Sequence, residues 1–111
     1  YVVRGNAYAD LKEYDKAVRD YDRAIKLDPR NSRAYSNRGL AYNDLEQYGR
    51  AIRDFDKAIE LNPEYALAYF GRGGAYIRLN RIKEGCAEWE MACGLGECSG
   101  LNYAIQERLC E

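Results

Sequence analysis

The 111-residue chain has no histidine, two prolines, one methionine and one tryptophan, and no cysteine before position 86. Without histidine there is no Cys–His nucleophilic pair, no haem attachment through C-x-x-C-H and no mixed Cys/His zinc site. No stretch of 18 apolar residues occurs, so the sequence holds no membrane span. Seventeen basic residues against eighteen acidic leave a net charge of −1. That balance gives no bulk attraction to nucleic acid or to anionic lipid. General acid–base chemistry needs carboxylates or imidazoles that converge in a pocket. The acidic residues here fall on outward faces or in a regular lattice, so no enzyme and no cofactor is expected.

What the chain does have is repetition. Tyr1-Val-Val-Arg4-Gly5-Asn6-Ala-Tyr8, Tyr35-Ser-Asn-Arg38-Gly39-Leu-Ala-Tyr42 and Tyr69-Phe-Gly-Arg72-Gly73-Gly-Ala-Tyr76 are one motif written three times, 34 residues apart. The period continues through Ala17, Ala51 and Gly85, through Tyr21, Phe55 and Trp89, through Ala24, Ala58 and Ala92, and through Pro29 and Pro63. A fixed period of that size, filled with helix formers, means a stack of supersecondary units that cannot bury their apolar faces alone. Most of the eleven tyrosines lie on this lattice and read as packing residues rather than as a stacking platform for bases, so no nucleic-acid partner is expected. Each unit should be two antiparallel helices, about 1–11 and 15–27 in the first and about 66–79 and 82–94 in the third. In the second, a helix starts at Asn31 or Ser32 and runs to about Leu45. Gln47-Tyr48-Gly49 begins the turn, and the next helix ends before Asn62-Pro63.

The pattern resembles the tetratricopeptide repeat (TPR) family, whose template runs aromatic-x2-large-Gly-x2-Tyr, then small-x3-aromatic, small and Pro. Tyr35, Gly39, Tyr42, Ala51, Phe55, Ala58 and Pro63 match it, with Arg38 in the large apolar place. The resemblance implies an all-α, right-handed α-solenoid of three helix–turn–helix repeats (1–31, 32–65 and 66–98, the first truncated at its start) and a C-terminal capping helix (99–111). In that cap Leu101, Ala104, Ile105 and Leu109 share one helical face and should turn inward. The sequence starts without methionine, part-way into a helix, and reads as a piece of a longer protein.

Arg4, Arg38 and Arg72 recur in register with Asp20, Asp54 and Glu88. Either these are partly buried pairs that fix helix register, or the arginines form a ladder for a polyanion. The resemblance also implies a protein or peptide partner, held on the inner face of the first helices of the repeats. The residues expected to bind it are Asn6, Arg33, Asn37, Leu40, Asn43, Leu67, Phe70 and Ile77: amides for a peptide backbone and an apolar patch for an anchor. TPRs that clamp the carboxylate of chaperone tails use two asparagines, which Asn6 and Asn37 match, and three cations. Val2, Leu67 and Gly71 stand in the places of those cations, which disfavours a chaperone tail here. Gly71 and Gly74 in mid-helix suggest close approach by a backbone, or relief of crowding against a neighbouring helix. A different class of role is structural: self-assembly into a homo-oligomer through the N-terminal end, which has no cap.

Cys86, Cys93, Cys98 and Cys110 crowd the last quarter. They read as disulfides ahead of reduced buried thiols or a four-thiolate zinc site, whose paired C-x2-C spacing is missing. Cys86 and Cys93, two turns apart on one helix, are about 10.5 Å apart and too far to bridge. If the last helix folds back antiparallel, Cys86–Cys110 and Cys93–Cys98 nest around the turn. The segment also resembles the terminal repeat of many bacterial TPR proteins, in which such a bridge ties the chain end, and more loosely cysteine-rich Sel1-like repeats. Disulfides favour a periplasmic or secreted setting over a cytoplasmic one.

Overall fold

A helix needs a way to stop, and in this chain the stops recur with the period. The computed structural model describes residues 1–110 as seven helices: α1 (Val2–Asp10), α2 (Tyr14–Leu27), α3 (Ser32–Asp44), α4 (Tyr48–Leu61), α5 (Ala66–Arg78), α6 (Ile82–Gly94) and α7 (Ser99–Gln106). Among these residues there is no strand. Glu111, the last residue of the expected cap, lies outside the described residues.

The odd-numbered helices α1, α3 and α5 end on a residue in the left-handed region: Lys12, Glu46 and Asn80, at φ 60°, 60° and 62°. The next N–H then reaches back to a carbonyl of the last turn, as Gln47 N–H does to Tyr42 (2.8 Å) and Arg81 N–H to Tyr76 (2.8 Å). This is the helix-terminating geometry usually supplied by glycine. Here glutamate or another side-chain residue takes it, which is why the turn at Glu46 lies before the expected Gln47-Tyr48-Gly49. Gly49 itself sits inside the first turn of α4. Between units, the Asp28 and Asn62 side chains accept from the N–H groups of Arg30 and Glu64 (3.1 and 3.2 Å) around Pro29 and Pro63. Such Asx-type turns reverse the chain. Asn31 Oδ1 then caps α3 by accepting from Ala34 N–H at 3.1 Å.

The helices approach closely because glycine meets an aromatic ring. A Cβ on Gly5 would lie 2.6 Å from the Tyr21 ring, one on Gly39 2.8 Å from Phe55 and one on Gly73 2.5 Å from Trp89. Phe55 is also covered from the next unit, where a Cβ on Gly71 would come within 2.3 Å of it. The buried clusters therefore cross unit boundaries. Ala51, Phe55 and Ala58 pack with Ala68 of α5, and Ala17 and Tyr21 with Ala41 of α3. Stability then resides in neighbour stacking, as a repeat architecture requires. The result is an elongated body of 42 × 26 × 21 Å.

The charge lattice closes on itself. Arg38 Nε and Nη2 donate to Asp54 at 2.9 and 2.7 Å, a bidentate fork. Arg72 reaches Glu88 (2.8 Å) and Arg4 reaches Asp20 (2.8 Å through both Nε and Nη2). Each of the two later arginines also takes a second carboxylate, 16 residues before it. Arg38 Nη1 donates to Asp22 and Arg72 Nη1 to Asp56, both at 2.8 Å. One guanidinium thus joins the second helices of two successive units. These contacts occupy the arginines inside the array and support the register reading over the polyanion ladder. The Arg4 guanidinium holds the Asp20 carboxyl below the usual range. At Asp54, burial pushes the carboxyl upward against the pull of Arg38.

The seventh helix departs from expectation in its facing. Ala104 is buried, but Ile105 is 60% exposed, and Gly100 rather than Leu101 is the tightest contact. A Cβ on Gly100 would lie 2.6 Å from the Trp89 ring, so only a residue without one lets α7 lie this close. Disulfides flank the helix: Cys93–Cys98 before it (Cα–Cα 4.0 Å) and Cys86–Cys110 after it (5.7 Å).

Candidate functional site

Between successive odd-numbered helices the fold leaves a hollow, and the first and third are floored by Tyr21 and Trp89 of the even-numbered helices behind them. The first hollow, about 460 Å³, lies between α1 and α3 and includes Asn6, Asp10, Asn37, Leu40 and Asp44, with Tyr21 beneath. The second, about 200 Å³, lies between α3 and α5 and includes Asn43, Asp44, Glu46, Gly74 and Arg78. The third, about 490 Å³, lies between α5 and α7, where Phe70, Gly74, Ile77, Arg78 and Tyr103 surround Trp89. Neighbouring hollows share walls: Asp44 joins the first to the second, and Gly74 and Arg78 join the second to the third. They lie in a row that makes a groove along the inner face, interrupted only by these shared side chains.

Its polar end is pre-ordered. Asn6 Oδ1 accepts from Tyr21 Oη (2.5 Å) and from Asn37 Nδ2 (3.0 Å). Burial pushes the Tyr21 phenol up to about 12, so its hydroxyl stays a donor at any ordinary pH. With Asn6 Oδ1 engaged, the Asn6 NH2 group and Asn37 Oδ1 are left as a donor and an acceptor without a partner among the described residues. Further along, Asn43 Nδ2 donates to the Gly71 carbonyl at 3.0 Å and ties α3 to α5. Asn43 Oδ1 is buried and has no partner among the described residues.

The apolar end is built around Trp89. Its Nε1–H donates to the Phe70 carbonyl (3.0 Å), the Phe70 ring stacks on it with centroids 6.4 Å apart, and Tyr103 meets it edge-on at 6.1 Å. Ile77 wedges toward Gly85. Of the eight residues expected to bind a partner, Asn6, Asn37, Leu40, Asn43, Phe70 and Ile77 line the groove. Arg33 and Leu67, both exposed, line none of the three hollows. Tyr103 and the floor residue Trp89 were not among the eight. Tyr103 stands 34 residues after Tyr69, a signal that the period runs on into the last helix.

The two mid-helix glycines have different reasons. Gly71 is pressed on Phe55, whereas Gly74 has nothing within 4 Å of its would-be Cβ and opens onto the groove. Among the described residues, no group of three Cys, Asp or Glu gathers as metal ligands. No helix there is long and apolar enough to cross a membrane.

Comparison with known proteins agrees with this geometry. Family models described as "TPR repeat" and "Tetratricopeptide repeat" match residues 5–45 and 32–65. The solved TPR domain of Arabidopsis OM64 is 34% identical, with a TM-score of 0.91 over 97% of this chain and 89% of that one. The chain belongs to the tetratricopeptide repeat family. Two further TPR structures hold a bound peptide. The first TPR of Spaghetti (RPAP3), bound to the HSP90 peptide SRMEEVD, is 29% identical with a TM-score of 0.88, covering 95% of this chain and 85% of that one. The second TPR domain of human RPAP3, in complex with the HSP70 peptide SGPTIEEVD, is 28% identical with a TM-score of 0.84, covering 95% and 89%. A comparison with curated proteins finds no match. Gly71 stands where the sequence resemblance puts a cation of the carboxylate clamp. In this chain the Phe55 ring fills the space such a side chain would need.

Proposed function

We propose that this TPR domain is a protein–protein interaction module that holds a peptide segment of a partner along its inner groove. The row of three hollows, adjacent ones sharing Asp44, Gly74 and Arg78, carries this reading. An extended chain can follow such a row, with amides for its backbone at one end and an apolar pocket for a side chain at the other. The peptides named for the RPAP3 domains support the same use of the fold. Asn37→Ala combined with Phe70→Ala removes one element from each end of the groove. The double variant should lose partner binding, with a far-ultraviolet circular dichroism spectrum like that of the parent. Unchanged affinity in a pull-down from the native host would move the site off this face.

A second reading is self-assembly through the N-terminal end, where Val3 and Leu11 stand 83% and 69% exposed. Light scattering over a concentration series separates the two, since a monomer with a free groove favours binding. The same proposal puts the domain in an oxidising compartment, periplasmic or secreted, which the two disulfides support.

A further inference from the structure

We infer that the groove selects a peptide segment carrying a basic side chain about six residues away from a large apolar one, the opposite charge preference to the acidic peptides of the related domains. This rests on the groove reading above and gives it a chemical class of ligand. The first hollow has two charged lining residues, Asp10 and Asp44, both carboxylates. Partial burial raises the Asp44 carboxyl above its ordinary value. A cation placed beside it therefore restores stabilisation that the fold has taken from the ionised form. Neither Asp10 nor Asp44 belongs to an ion pair among the described residues, unlike Asp20, Asp22, Asp54 and Asp56 of the lattice.

Arg78 stands 34 residues after Asp44 and reverses the sign at the same register. It lines the second hollow with Asp44 and Glu46, one cation against two carboxylates, and does not line the first, which stays acidic. The third hollow offers Phe70, Ile77 and Tyr103 over Trp89, an aromatic-walled space fit for a leucine-sized or larger side chain. An acidic tail would meet a single cation, Arg78, in the second and third hollows and two carboxylates in the first. Val2, Leu67 and Gly71, where the sequence resemblance would put a clamp's cations, carry no charge, and the first hollow would repel it.

Geometry sets the spacing. The first and third hollows are two helix steps apart, about 20 Å at roughly 10 Å per packed helix. An extended peptide covers that in about six residues at ~3.3 Å each.

The test titrates the disulfide-intact chain with three fluorescein-labelled peptides. One is a seven-residue probe with lysine first, leucine last and alternating serine and alanine between; the second has glutamine for the lysine; the third is SRMEEVD. Anisotropy reads affinity, and the emission of Trp89, the one tryptophan, reads occupancy of the third hollow. The lysine probe should bind about tenfold more tightly than the glutamine probe, with SRMEEVD weakest. Asp10→Asn with Asp44→Asn should remove the lysine advantage and leave the glutamine probe's affinity in place. If SRMEEVD binds more tightly than the lysine probe, or the double variant keeps the tenfold difference, the charge preference is wrong. The groove reading then survives as long as Phe70→Ala still weakens binding. If no probe binds or perturbs Trp89, both fall.

Discussion

At the scale of single residues, glycine decides how near two helices can lie, and the glycines of α5 are not equivalent. Gly71→Ala drives a methyl into the Phe55 ring and should cost about 1–3 kcal/mol through overpacking. Gly74→Ala, with open space around it, should stabilise by about 1 kcal/mol through helix propensity. Urea unfolding of the two variants gives the comparison, and equal shifts of one sign would contradict the packing described here. The sequence made Gly39 legible because its counterparts at positions 5 and 73 repeat it. For Gly71, whose lattice mates are Val3 and Asn37, the sequence offers crowding by a neighbouring helix as one of two reasons, but nothing in it says that the crowding group is Phe55, lodged between two helices. The charge pairs were readable from the common period. Their second carboxylates, Asp22 and Asp56, were not, because a contact to the previous unit depends on the stacking angle. Asp20 gives a pH signature. Its folded pKa is depressed by Arg4, so its contribution is present above the unfolded value of about 3.9 and is lost as pH falls through the lower folded value. Asp20→Asn should therefore lower stability at neutral pH and flatten the decline below about pH 4. A parallel offset at every pH in denaturant titrations would remove the carboxylate from the explanation.

At the scale of an element, α7 is the part that could not stand by itself. Eight residues are well short of the roughly 12–15 that even a favourable isolated helix needs in water. Its place comes from Gly100 and Ala104 against α6 and from two covalent ties. The Cys86–Cys110 bridge spans 24 residues and should contribute about 3 kcal/mol in the chain-entropy model. Cys86→Ala with Cys110→Ala should loosen α7, shift Trp89 emission to the red and widen the third hollow, with the helicity of α1–α5 kept. Unchanged emission and an unchanged melting curve would mean that packing alone holds the helix. Of the inward face expected of this segment, Ala104 is buried and Ile105 is exposed. Hydrophobicity favours Leu101 and Ile105, whereas contact with the large flat ring of Trp89 favours the smallest residue, Gly100. Periodicity of apolar side chains carries no information on such a fit.

At the scale of the whole molecule, the doubled arginine contacts have a consequence for length. Every Arg38-type guanidinium looks 16 residues forward and 16 back, so it needs only a neighbour of its own kind. A second copy of residues 32–65 inserted after Glu64-Tyr65 would offer its arginine the existing Asp56 and its own counterpart of Asp54. The displaced Arg72 would find the new counterpart of Asp56. In the inserted copy only the counterpart of Asn37 would have to become glycine, because it would stand where Gly71 now meets Phe55. Such an insertion should raise the thermal midpoint by about 5 °C or more, as one further stacked interface predicts; a lower midpoint would show that the units are not interchangeable. The inserted unit would also move the acidic hollow about 10 Å further from the aromatic one. The chain is in this sense a ruler graduated in 34-residue marks, and the separation of two features it recognises becomes a matter of how many marks are cut.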